Sequence, residues 1–200
     1  MMRTFKIAAA ALLVGSASWL SACAMNEGTS DMAGASASAN AAVTVGGAPM
    51  YANRDIVSNA VNSADHTTLV AAVKAAGLVE TLQGAGPFTV FAPTNSAFEM
   101  LPAGTVQTLL MPANKSMLQS VLTYHVVPGR LNAAALAQRI RAGGGSARLT
   151  TVNGGMLTAK MRGSDIVIVD AKGGVATVTQ ADVMQSNGVI HVTNRVSMSG

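Results

Sequence analysis

Phe88-Thr-Val-Phe-Ala-Pro-Thr-Asn-Ser-Ala-Phe98 is the stretch on which the fold of this chain turns. Phe88 to Ala92 is β-branched and aromatic, which predicts a short strand buried on at least one face. Pro93 ends it, because proline cannot donate to a sheet ladder and holds Ala92 extended. Thr94 or Asn95 then offers a side-chain oxygen to cap a helical turn over Ser96 to Leu101. Of the four Phe in the chain, Phe88 and Phe91 lie in the strand and Phe98 lies just past the corner. A strand, a sharp corner and a helix are predicted here, and they nucleate the core.

Toward the N-terminus, Asp55 to Gln83 predicts helix in two pieces. Ile56, Val57, Ala60 and Val61 share one face; Ser63 or Asp65 caps a second helix that turns Leu69, Val70, Val73 and Ala76 inward and stops at Gly77. Past the corner, Val106 to Leu110 forms a short helical piece between Pro/Gly breaks. Asn114 caps the next helix, with Met117, Leu118, Val121 and Leu122 on its apolar face and His125 one turn later. Leu131 to Arg141 is helical up to Gly143-Gly-Gly145. The period then changes to two. Ala147–Val152 and Met156–Arg162 flank Asn153-Gly154-Gly155, Asp165–Asp170 and Val175–Thr179 flank Lys172-Gly-Gly174, and Val189–Met198 closes the sheet. Helices first and hairpins later predict an α+β domain of about 150 residues.

Three of these segments carry a family resemblance. Gly86-Pro-Phe-Thr-Val-Phe-Ala-Pro-Thr-Asn-Ser-Ala-Phe98 resembles the first signature segment of fasciclin domains, Tyr124-His125 their Tyr-His pair, and Asn187-Gly-Val-Ile-His-Val192 their second signature segment. The resemblance spans roughly Ala52 to Met198. It implies a fasciclin-like compact domain with N-terminal helices packed on a wedge of strands. It marks Phe88, Thr89, Phe91, Pro93, Thr94, Asn95, Phe98, Asn187, Gly188, Ile190 and His191 as structural positions. Its members are mostly extracellular adhesion or protein-binding modules, so it implies that class of role and no reaction.

The N-terminus predicts export. Arg3 and Lys6 precede an apolar run, Ile7 to Val14, that is short for a membrane span, and Leu20-Ser-Ala-Cys23 resembles a bacterial lipobox, in which Cys23 takes up acyl groups after cleavage. Cleavage after Ala24 without lipid is the alternative. Cys23 is the single Cys, so no internal disulfide can form. The organisation predicted is therefore a signal peptide over 1–22, a flexible lipid-anchored tether over 23–51, and the domain over 52–198. The tether would reach on the order of 30 Å. Localisation is expected at the cell envelope, in the outer membrane where there is one, with a soluble periplasmic or secreted domain as the alternative.

Charge and composition narrow the partner. Without Arg3 and Lys6 the 13 basic residues fall to 11 against 9 acidic ones. The basic residues that do gather, Arg130 to Arg148, have no interleaved aromatics, so nucleic acid is not expected. That stretch could meet an anionic lipid surface or an acidic polymer, although a solvated helix end is the preferred reading. A protein or surface polymer is the expected partner, with membrane contact through lipid on Cys23.

The chemical inventory is thin. No nucleophile elbow, phosphate loop, dinucleotide loop or zinc-protease motif is present, and three His with nine carboxylates leave few ways to build an acid–base pair. No enzyme, cofactor or metal is expected. Tyr124-His125 has two readings. In the preferred one, His125 bonds to carbonyls at a helix end while Tyr124 packs its ring; in the other, carried over from the family, the pair belongs to a binding surface. His191 is read as a sheet residue, on the side opposite Ile190, Val192 and Val196. The family usually follows it with an apolar residue and an Asp, where this chain has Thr193 and Asn194. Met100, Met111, Met117, Met156, Met161 and Met184 are read as core filling. The alternative to a binding module is a periplasmic carrier or sensor of a small apolar ligand in a pocket between the helices and the sheet, suggested by the Met- and Ala-rich composition.

Overall fold

In the computed structural model, which describes residues 42–200, the chain opens with a hairpin of β1 (Ala42–Val45) and β2 (Ala48–Tyr51). Helices α1 (Ile56–Ala60), α2 (Thr67–Ala76) and α3 (Val79–Gln83) lead to strand β3 (Phe88–Pro93). Then come α4 (Asn95–Glu99), α5 (Thr105–Leu110), α6 (Lys115–Tyr124), β4 (Val126–Pro128) and α7 (Ala133–Ala142). The chain finishes with β5 (Ser146–Thr150), β6 (Met156–Arg162), β7 (Asp165–Val169), β8 (Val175–Gln185) and β9 (Gly188–Thr193). The α+β class read from the sequence is the class observed, with a hairpin, β1–β2, ahead of the expected helices.

Seven strands form one sheet in the order β4-β3-β9-β8-β7-β6-β5. β3 and β9 run parallel, with Phe91 opposite His191, and the other neighbours are antiparallel. After β5 the Val152 N–H donates to the Val126 carbonyl on β4 (2.8 Å), so the sheet nearly closes on itself.

The β3–β9 pair separates two cores, because successive side chains on a strand point to opposite faces. Val90, Ala92, Ile190 and Val192 face the helical core with Leu69, Val73, Phe98 and Leu122. Phe91 and Val127 face the other, with Leu136 and Ile140 of α7 and Leu149, Leu157 and Ile168 of the hairpins. Strand β8 serves both. Ala176 and Val178 belong to the α7 side and Val183 to the helical side. That division is what alternation gives; the two register shifts between Val178 and Val183, where Asp182 takes φ 58°, bend the strand and leave its parity unchanged.

Local chemistry differs from expectation at several caps. Asp55 caps α1 by accepting from the N–H groups of Val57 and Ser58 (both 2.9 Å), and Gly77 ends α2 at φ 70°. Thr94 stands at the N-cap of α4, but its hydroxyl pairs with Ser96. Asn95 caps a different helix from the one expected: it accepts from Thr68 N–H (3.0 Å) at the start of α2 and donates to the Ala64 carbonyl. Ser63 bonds the His66 ring, and Asn114 donates to the Thr108 carbonyl, so neither caps its helix.

Two expectations are corrected. Regular structure is present already from Ala42, ten positions before the predicted domain start, because Gly46 and Gly47 (φ 55° and 74°) form the two-residue turn that a tight hairpin requires. Val45 and Met50 of this hairpin are buried in the helical core, and Asn59 exchanges hydrogen bonds with both backbone groups of Tyr51. The remainder of the predicted tether, Cys23 and the signal segment lie outside the described residues. The methionines are the second correction. Met100, Met111, Met117, Met156 and Met161 are all exposed, from 37% to 67%, so they fill no core.

Burying a Val and a Met contributes about 1.5–3 kcal/mol each. A chain beginning at Ala52 is therefore expected to lose about 3 kcal/mol or more against one beginning at Ala42. Equal denaturant midpoints for the two would contradict the hairpin's part in the core.

Candidate functional site

The polar residues marked by the sequence converge at the joints between elements. Tyr124 ends α6 with its ring fully buried; its hydroxyl donates to the Met156 carbonyl (2.7 Å) and accepts from Ala171 N–H (3.0 Å). Burial pushes the phenol pKa up. The next residue turns the other way. His125 Nδ1 donates to the Val121 carbonyl (2.8 Å) and Nε2 accepts from Ser197 N–H (2.9 Å), which fixes one neutral tautomer. Both side chains lie inside the molecule, so a partner at the surface meets neither ring. The geometry is that of the structural reading.

His191 is also internal. Its ring stacks on Phe91 with centroids 5.6 Å apart, Nε2 donates to the Leu131 carbonyl (2.7 Å), and Nδ1 receives a long contact from Asp182 N–H (3.4 Å). It faces away from Ile190 and Val192, as the alternation predicts. Asn194, where the family pattern has a carboxylate, pairs with Thr177 across β8 (2.8 Å) and does not reach an imidazole. Thr89, buried on β3, donates to the Gly129 carbonyl (2.6 Å) and accepts from Leu131 N–H (2.9 Å).

Asn187 joins the most elements. Its side-chain oxygen accepts from Ile56 N–H (3.1 Å) at the start of α1, its amide donates to the carbonyls of Leu82 and Gly84, and its own carbonyl accepts from Phe88 N–H. Gly188 follows because a Cβ there would run into the Phe88 carbonyl and Ile56. Two joints escaped the sequence reading. Asp170 accepts from Lys172, Gly174 and Met198 N–H groups, and Asp182 accepts from Ala133 N–H (2.6 Å) at the start of α7. The Asp170-Ala-Lys-Gly-Gly174 turn was legible as such; the long-range bond of Asp182 was not.

His66 completes the set. Its Nδ1 pairs with Ser63 Oγ (2.9 Å), while Nε2 is the one buried side-chain polar atom without a hydrogen bond among the described residues. It borders a cavity of about 30 Å³ lined by Val45, Met50, Leu69 and Ile190. A second cavity, of about 40 Å³, lies between α2 and the sheet against Val73, Val90 and Leu122. Both are apolar and far below the roughly 300 Å³ of an ordinary small-molecule site. No three metal-ligating side chains come together among the described residues.

The arrangement defines a class: an α+β domain whose marked polar side chains are spent on fixing helices to a folded-over sheet. The fasciclin-domain family model matches residues 64–198, and the chain belongs to that family. It is 49% identical over 141 residues to protein sll1483 of Synechocystis, covering 70% of this chain and 71% of that one. It is 39% identical over 128 residues to the transforming growth factor-beta-induced protein ig-h3 of Sus scrofa, covering 64% of this chain and 17% of that much longer one. In fold it is similar to a FAS1 domain pair from the insect cell adhesion molecule fasciclin I, with a TM-score of 0.65 and 18% identity over 72% of this chain and 51% of the other.

Two outcomes are expected. Tyr124→Phe removes the partner of Met156 and Ala171 together and should cost about 1–3 kcal/mol in chemical denaturation. Burial lowers the pKa of His66, His125 and His191 alike. The unfolded chain, with histidines near about 6.5, therefore takes up protons first. Stability is full above that pH and falls as pH drops through it, by up to about 1.4 kcal/mol per unit for each histidine. Denaturant midpoints between pH 7.5 and pH 5 check this, and His66→Gln should make the slope shallower.

Proposed function

We propose that this chain is a non-catalytic binding module that acts in adhesion at the cell surface, held there by lipid on Cys23. The observation that carries the reading is the use of its reactive groups: all three histidines are buried, and Asp55, Asp170 and Asp182 accept main-chain N–H groups. Little is left with which to assemble an accessible acid–base pair. The fold's likeness to a domain pair from a cell adhesion molecule supports the same role. No helix among the described residues is long and apolar enough to cross a membrane, so an anchor would have to be supplied by other means.

Function then follows from surface complementarity at raised local concentration. An anchor confines the domain to the envelope, and weak contacts, repeated over many copies, hold a partner that a free domain would release. The partner is a protein or a surface polymer. Nucleic acid is not part of the proposal, since the basic stretch Arg130 to Arg162 contains no aromatic residue on which a base could stack. The apolar cavities between helices and sheet are about 40 and 30 Å³, which weighs against the rival reading, a carrier or sensor of a small apolar ligand.

Intact mass of the membrane-fraction protein tests the anchor. A mass running from Cys23 to Gly200 plus acyl groups is expected, and Cys23→Ser should lose it and abolish any gain in cell-to-cell adhesion. An unlipidated mass beginning near Met25, with adhesion unchanged by Cys23→Ser, would overturn the proposal. Native mass spectrometry of the purified chain should give the bare protein mass; a retained small molecule would favour the carrier.

A further inference from the structure

Between Arg130 and Arg162 the chain carries six basic residues, Arg130, Arg139, Arg141, Arg148, Lys160 and Arg162, and no acidic one. All six are exposed. Arg130 donates to the Ser186 carbonyl (2.8 Å); the other five have no hydrogen-bond or ion-pair partner among the described residues. Asp165 stands opposite Arg162 in the β6–β7 register but bonds only Ser164. A structure that spends its buried carboxylates so fully leaves these cations open.

Their placement is ordered. Arg139 and Arg141 lie in the last turn of α7, and the chain reverses at Gly143 to enter the sheet's edge strand β5. Between the two elements is an open cleft of about 610 Å³ lined by Arg139, Ala142, Gly143, Ser146, Ala147 and Arg148. Gly143 permits the tight reversal, since a Cβ there would strike the Ser146 carbonyl. Beyond the cleft, Ser146 faces Lys160 and Arg148 faces Thr158 in the β5–β6 register. Arg148 and Lys160 are therefore diagonal neighbours about 7–8 Å apart at Cβ. Arg162 follows Lys160 on the same face, about 7 Å further along the strand. The cations form a row from the cleft onto the outer face of the hairpin.

We infer that this row is the docking surface for an extended acidic polysaccharide, with the polymer's anionic groups seated on Arg139 and Arg148 in the cleft and on Lys160 and Arg162 beyond it. The inference rests on the binding-module reading and gives its partner a chemical class. Other polyanions fit less well. The cleft lining has no aromatic ring on which a nucleic-acid base could stack, and Arg130 to Arg162 contains none. Its apolar members are Ala142 and Ala147, too small to insert among acyl chains. A flexible chain with regularly spaced carboxylates or sulfates and neither bases nor tails meets the geometry.

The test uses the full chain titrated with alginate, with phosphatidylglycerol vesicles and oligo-dT at matched charge as competitors. Saturable alginate binding that weakens steeply between about 50 and 200 mM salt is expected. Arg139→Glu/Arg148→Glu and, separately, Lys160→Glu/Arg162→Glu should each weaken it at least tenfold, while Lys172→Gln in a distant turn leaves it unchanged; circular dichroism confirms that all remain folded. No alginate binding, binding by either double variant as tight as that of the unaltered chain, or preference for vesicles or oligo-dT would overturn the inference. Cell adhesion that depends on Cys23 but survives both double variants would leave the binding module standing and remove this surface from it.

Discussion

The parallel pairing of Phe88–Pro93 with Gly188–Thr193 is the constraint on which everything else rests. Both strands are covered on both faces, so neither can shift by one residue without exchanging the contents of the two cores. Phe91 and His191 are held to the α7 side, while Val90 and Ile190 are held to the helical side. Helices, hairpins and the near closure of the sheet are arranged around that division. Strand β8 serves both cores in the same way, through its two alternating faces.

Burying so much main chain at a crossing requires partners for the groups that the sheet ladder does not reach. Asn187, Thr89, His125 and Asp170 supply them, each binding two or more otherwise orphaned backbone groups. Such groups are costly to leave unsatisfied, so the side chains that look reactive in the sequence are the ones committed to the fold. What remains for a partner is the surface, and there the described domain is uneven. One end carries cations without counter-charges, and methionines lie open on several elements.

Much of this was legible in the sequence. The Phe88 strand, the Pro93 corner, the Gly77 stop and the two Gly-Gly hairpins follow from local stereochemistry, and the local pattern is the one the fold keeps. The misreadings occurred where tertiary geometry overrides local preference. Asn95 could cap its own helix but stands nearer to the start of α2. Ala42 to Tyr51 reads as low in large apolar groups, yet Val45 and Met50 find a core waiting for them. Of the exposed methionines only Met117 lies within a helix; Met100 and Met111 stand at helix ends and Met156 and Met161 on strand β6, where helical apolar spacing does not apply. In the candidate site, the burial of Tyr124 and His125 was foreseeable from helix position; the reach of Asp182 to α7 and the cleft behind Arg139 depend on the sheet folding over, which no local pattern encodes.

The partner strand of β3 is the last strand of the chain. Until β9 is in place, Val90 and Phe91 each lack one wall of their core, and the helices packed on them have only half a surface to hold. A contact between such distant segments carries a large loop-closure entropy and forms late. Neither core is therefore complete until segments about a hundred residues apart, Phe88–Pro93 and Gly188–Thr193, have met.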